Sequence, residues 1–202
     1  DISTGETVTN TLSNITSKEE ATSTSGINVT PITNIFSSIV ESNIQEGATV
    51  DLSVIESSKE TVSSVFNINV ESIGEDYISS ENSSAAVVTA QIETITNTLE
   101  NSIGNNGDVT KDDIVSSLAK VITQQVDSVE EGEEVSFSLN DVSSITDIVQ
   151  QVQTDKAIEV DQNIVDNVSN FIESVNQNIE TAAEETSSSG GNFADVFTKV
   201  TQ

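Results

Sequence analysis

The chain has no cysteine, histidine, methionine, tryptophan or arginine, and only one proline and one tyrosine in 202 residues. Each absence closes off some chemistry. Without cysteine there is no disulfide framework, and the redox compartment is not written in the sequence. Without cysteine and histidine, nucleophilic triads of the Ser-His or Cys-His kind and the usual zinc sites are excluded. The bases are six lysines against 34 acidic residues, a formal net charge of -28. Nucleic-acid phosphates require a basic surface, so that class of partner is excluded, and anionic membrane surfaces are disfavoured for the same reason. The longest unbroken apolar run is 85–88, far short of the roughly 20 residues that span a bilayer, so no membrane insertion is expected of this segment. No leader is visible and the first residue is Asp1. A mature product or an excised region of a longer chain is therefore expected.

What is present is a lean aliphatic pattern. Hydrophobic residues make up 34% and aromatics 3%, so any core is built from Ile, Val and Leu. High charge with few aromatics is also the composition of disordered chains. Here, however, the apolar residues recur periodically along the whole sequence. In 31–40, PITNIFSSIV, they fall at Ile32, Ile35, Phe36, Ile39 and Val40, the i, i+3, i+4, i+7, i+8 spacing of one helix face. Thr30 before Pro31 suits an N-cap followed by proline at the first helical position. A second copy lies in 142–152, with Val142, Ile145, Ile148, Val149 and Val152, preceded by Ser138 and Asp141 at capping-box spacing. Both segments are rich in β-branched residues and Ser or Thr, so each needs partners to hold a helix.

Around these copies the chain reads as two repeats. The first helix of each unit carries Val8, Leu12 and Ile15, or Ile114, Leu118, Val121 and Ile122. A polar connector follows, then short alternating pieces at Ile27 and Val29, or Val135, Phe137 and Leu139. The second helix is the one described above. The third has Val54, Ile55, Val62, Val65 and Phe66 inward, or Ile164, Val165, Val168, Phe171, Ile172 and Val175. After a Ser-rich loop, 79–84 or 187–191, the fourth carries Val88, Ile92, Ile95 and Leu99, or Phe193, Val196, Phe197 and Val200. The expected fold is mainly α: two tandem helical repeats of about four helices each with a few short extended segments, a first unit 1–103 and a second 104–202. Gly and Asn in 101–108 supply the turn between them. A β-rich alternative rests on the Val, Ile and Thr content, but most apolar spacings are three and four.

The runs LSNIT at 12–16, NVTPITNIFSSIVES at 28–42, VSSVFN at 62–67, LNDVSSITDIVQQV at 139–152 and NIVDNVSNFIESV at 163–175 resemble the helical subdomain A of GAIN domains. Those domains occur in adhesion-type G-protein-coupled receptors and polycystin-like proteins. The resemblance covers nearly the whole chain as two copies, and it implies a helical scaffold in an extracellular setting, secreted or at the cell surface. GAIN domains continue into a β-rich subdomain with paired cysteines, tryptophans and a His-Leu-Ser/Thr self-cleavage site. This chain has no Cys, Trp or His, so autoproteolysis does not carry over.

Three kinds of candidate site stand in the sequence. Carboxylate pairs such as Glu19–Glu20, Asp112–Asp113, Glu130–Glu131, Glu133–Glu134 and Glu184–Glu185 have the residue types of glycosidase acid/base work. A chain with one Tyr and no Trp lacks the aromatic-lined pocket that work needs, so solvated surface charge is the expected role and no enzyme is expected. Asn106, Asp108 and Asp113 around Gly107 follow the second half of a calcium-binding EF-hand loop, although the ligand positions before them, Ser102 and Gly104, are poor donors. No other cofactor is indicated. Four Asn-x-Ser/Thr sequons, at Asn14, Asn28, Asn82 and Asn167, are no more than chance provides in a chain this rich in Asn, Ser and Thr; in a secreted chain they are acceptors for N-linked glycans. Asn14, Asn28 and Asn82 are expected to be accessible, with Asn167 at the flank of its helix. Together these readings suggest a non-catalytic extracellular structural protein: a glycosylated repeat subunit, homo-oligomeric or polymeric, of a surface fibre or matrix. Its end-to-end contacts would lie near 1–9 and 193–202. The alternative is a spacer or ligand-binding ectodomain module of an adhesion-type receptor.

Overall fold

The computed structural model describes residues 13–15, 28–45, 52–77, 82–104, 108–129 and 135–188. These residues are mainly α-helical and contain no strand. In chain order the helices are α1 (Pro31–Gln45), α2 (Leu52–Phe66), α3 (Ser83–Ile103), α4 (Lys111–Ser128), α5 (Val142–Lys156) and α6 (Gln162–Ser188), with a 3-10 turn at Val70–Gly74 after α2.

α1 lies at the centre. Ile32, Ile35, Phe36, Ile39 and Val40 are all buried, and so are Thr33, Asn34 and Ser37. A helix buried on nearly every side is a core helix, and α2, α3 and α4 all pack on it. Its polar side chains are mostly paired within the first turn. Thr30 Oγ1 accepts from Thr33 N–H, and Thr33 Oγ1 donates to Thr30 C=O. Asn34 Oδ1 accepts from Ser13 Oγ. Thr30 therefore caps the helix ahead of Pro31, as expected from the sequence.

The remaining helices wrap this centre. α4 packs on α1, α3 and α5, and α6 packs on α5 and α3. One connected core runs through all six helices, from Ile32 to Ile172. The expected unit boundary at 103/104 falls in the turn between α3 and α4, and no break in the core coincides with it. That turn depends on Gly104: a Cβ there would stand 2.2 Å from the Glu100 carbonyl oxygen, a collision with backbone. Two helices end in Schellman turns. After α2, Ile68 N–H reaches Ser63 C=O and Asn67 takes φ 49. After α5, Ile158 N–H reaches Gln153 C=O and Ala157 takes φ 50.

Several expectations shift. Of the first helix expected in the first unit, residues 13–15 are described, and they are not helical. The fourth helix of the second unit, 193–200, lies outside the described residues. The alternation at Val135, Phe137 and Leu139 does bury Phe137 and Leu139, but this stretch pairs with no strand and lies as a loop against the core. Ser138 and Asp141 do not form a capping box. Asp141 is itself the N-cap of α5, accepting from Ser144 N–H, and Ser138 Oγ bonds Asn140 instead. The capping box belongs to α4, between Thr110 and Asp113.

The largest change is on α6. Its buried stripe is Val165, Ser169, Ile172, Asn176, Ile179, Ala183 and Thr186, alternating steps of four and three that follow the seam with α3 and α5. Ile164 and Phe171, expected inward, are 38% and 57% exposed, while Val168 and Val175 are half-buried. The helix carries two apolar stripes; its described neighbours bury one fully and the other only in part.

Candidate functional site

α3 and α6 run antiparallel, because the start of α3 lies beside the end of α6. Near their contact the structure opens a groove of about 820 Å³. Its walls are the end of α2 (Val65, Phe66), the first turns of α3 (Ser83, Ser84, Val88), the loop Phe137–Leu139 and the last turns of α6 (Glu180 to Ser188). Phe66 and Phe137 meet edge to face, with ring centroids 6.5 Å apart, and fix the apolar end. The polar side is an amide and carboxylate network. Gln91 Nε2 donates to Glu180 Oε1 at 3.1 Å and to the Asn176 carbonyl at 3.4 Å. Asn140 Nδ2 donates to Glu180 Oε2 at 2.6 Å. Asn176 Nδ2 donates to the Leu139 carbonyl. The Glu180 carboxylate is thus held between two amide donors on the groove wall.

The acidic residues elsewhere serve the helices. Lys156 Nζ lies 3.0 Å from Asp113, and Lys120 Nζ lies 2.7 Å from Asp155, which also accepts from Ser117 and Gln151. These bonds clasp α4 antiparallel to α5. Partial burial pulls the Asp113 carboxyl upward, yet hydrogen bonds from the Thr110 N–H and hydroxyl and from Lys156 hold it below its ordinary value of 3.8. Asp155 is likewise pulled up by burial and held below 3.8 by Lys120, Ser117 and Gln151. The hydroxyl of Ser143 and the N–H of Ser144 lower Asp141. Lys111 pairs with Glu100 at 3.8 Å, and the Lys59 ammonium sits 6.0 Å from the Phe36 ring centroid. The described lysines are therefore engaged within the fold.

The candidate residues are placed as follows. Asn14 is half-buried and donates to the Asn28 carbonyl at 2.8 Å; Asn28 is half-buried and donates to the Gly74 carbonyl at 3.0 Å. Asn82 caps α3 by accepting from Ala85 N–H, and its amide nitrogen donates to Ser72 and Glu75. A sugar on that nitrogen would remove one of those donors. Asn167 is exposed on α6, while Ser169 of its sequon is buried. Asn167 is thus the most exposed of the four, and Asn14, Asn28 and Asn82 are half-buried. Of the calcium candidates, Asn106 lies outside the described residues, and Asp108 is exposed with φ 53. Asp113 commits one oxygen to its capping box and to Lys156. No cluster of three acidic side chains able to hold a metal ion occurs among the described residues. No described helix is long and apolar enough to cross a membrane. The groove was not legible in the sequence; its one signal was Phe66 and Phe137, two of the six phenylalanines, at the ends of apolar segments. Set against family models, curated proteins and solved structures, the chain matches none.

Proposed function

We propose that this chain is a non-catalytic extracellular structural protein, a glycosylated repeat subunit that associates with further copies in a surface fibre or matrix. The observation that carries this reading is the second apolar stripe of α6. Ile164, Val168, Phe171 and Val175 recur in steps of four, three and four along one flank of α6, where Ile164 and Phe171 stand exposed and Val168 and Val175 are half-buried. Such a seam is what a helix offers to another helix. Within one chain α3 of the first half lies along α6 of the second, and repeated units stack through neighbouring faces, which supports association through helix faces. The charge of -28 keeps the remaining surface soluble and limits lateral clumping. The resemblance to GAIN helical subdomains supports the extracellular setting, and Asn167 is the sequon most open to a glycan. The test is electron microscopy of the native material together with intact mass. Regular filaments and a mass above the 21.4 kDa polypeptide are expected. Discrete particles of the bare polypeptide mass, unchanged across concentration, would refute both the fibre and its glycans.

A further inference from the structure

The groove ends where the described chain ends. Ser187 and Ser188, the last residues of α6, form part of its wall. The sequence continues through Ser189, Gly190 and Gly191 into 192–202, NFADVFTKVTQ. That segment is unlike the rest of the molecule: one Asp and one Lys cancel in a chain of -28, and it holds Phe193 and Phe197, two of six phenylalanines. Phe193, Val196, Phe197 and Val200 have the i, i+3, i+4, i+7 spacing of a single helix face. The groove offers what that face and its lysine require. Phe66, Val88, Phe137 and Leu139 make the apolar side, and Glu180 and Glu184 stand on the rim.

We propose that 192–202 docks in the groove of its own chain, seating Phe193 and Phe197 on the apolar side and Lys199 toward Glu180 and Glu184. Reach is no obstacle: the five residues from Ser188 to Phe193 extend up to about 17 Å, and the glycine pair permits the reversal. A tether this short puts the segment at an effective concentration in the millimolar range, ahead of any free second copy. The helix pairing agrees. α3, the fourth helix of the first repeat, lies along α6, the third of the second. A reciprocal arrangement would bring 192–202, the sequence counterpart of α3, to α2, the third helix of the first repeat, whose end at Val65 and Phe66 is the opposite wall.

The absence of Cys and Trp makes the full-length chain a clean background. Two double variants, Thr198→Cys with Ser84→Cys and Thr198→Cys with Ser138→Cys, are oxidised and resolved without reductant. A third variant, Phe197→Trp, reports its surroundings by emission and acrylamide quenching, alone and with Phe193→Ser. Far-ultraviolet circular dichroism verifies that each variant is folded. Docking gives an intrachain disulfide in at least one double variant, together with blue-shifted, poorly quenched emission that turns solvent-like when Phe193→Ser is added. Free thiols in both double variants with solvent-like emission overturn the proposal. Disulfide-linked dimers also overturn it, by placing the segment in a neighbouring copy.

Discussion

Leu99→Ala on α3 and Ile148→Ala on α5 test whether the two halves stand or fall together. Both side chains are completely buried, and both belong to the core that links all six helices. Truncating a buried Leu or Ile to Ala costs about 2–5 kcal/mol, from lost transfer energy plus an unfilled cavity. For a chain of this size each kcal/mol lowers Tm by about 2–4 °C, so a cost near 3 kcal/mol corresponds to a fall of about 6–12 °C. The halves share their packing: α1 packs on α4, and α3 packs on α6. Either substitution therefore weakens the same structure. Calorimetry and circular dichroism at 222 nm are expected to show one transition in the parent, moved down as a whole in each variant. Two transitions, with Leu99→Ala lowering one and Ile148→Ala the other, would refute the shared core and make 1–103 and 104–202 separate folding units.

Ala157→Gly is expected to raise stability by about 1 kcal/mol, because Ala157 holds φ 50, a left-handed backbone that costs a Cβ-bearing residue about that much; chemical denaturation measures it. Asn176→Ala leaves the buried Leu139 carbonyl without its side-chain donor, and the expected loss is about 1–3 kcal/mol for the unsatisfied group, read by the same assay. On acidification, the stability contributed by the lowered Asp113 and Asp155 carboxyls is present above their ordinary value of 3.8 and is lost as pH falls through their lower folded values. A D113N/D155N variant should therefore show a flatter acid limb below pH 3.8 than the parent; an unchanged limb would show that the clasp between α4 and α5 contributes nothing. Raising sodium chloride toward about 1 M shortens the Debye length to about 3 Å and is expected to raise Tm, since self-repulsion in a chain of -28 outweighs a few partly exposed ion pairs. A falling Tm would mean that the ion pairs dominate.

The sequence was informative wherever one apolar stripe met one neighbour. Ile32 to Val40 on α1, Val88 to Leu99 on α3, Ile114 to Ile122 on α4 and Ile145 to Val152 on α5 are all read correctly from spacing alone. It was also sound at Thr30–Pro31 and at the glycine-bearing turn after α3. It failed where two answers satisfied the same rule. On α6, steps of three and four fit both Val165/Ile172/Ile179 and Ile164/Val168/Phe171/Val175, and the more apolar stripe is the one left partly open, with Ile164 and Phe171 exposed. The buried face accepts Ser169 and the Asn176 amide nitrogen because each meets a partner there: Thr146 bonds Ser169, and the Leu139 carbonyl accepts from Asn176 Nδ2. Such pairings join residues 23 and 37 positions apart, which no local pattern displays. The hydrogen bonds around the sequons were hidden from the sequence for a related reason. Asn14, Asn28 and Asn82 look like loop residues, and they are, but their amides are committed to hydrogen bonds that hold the loops in place.

By itself the sequence determined the helical class, the lean aliphatic core, the excluded chemistries and the positions of most helices, because these follow from residue types and from a period of 3.6 that each segment carries within itself. The tertiary structure alone decided which face of α6 is buried, that α1 is enclosed on nearly all sides, that both halves share one core, and that α2, α3, α6 and the loop Phe137–Leu139 leave a groove between them. Those features depend on how separate segments meet, and the free energy of burying a side chain is set by the neighbour that covers it.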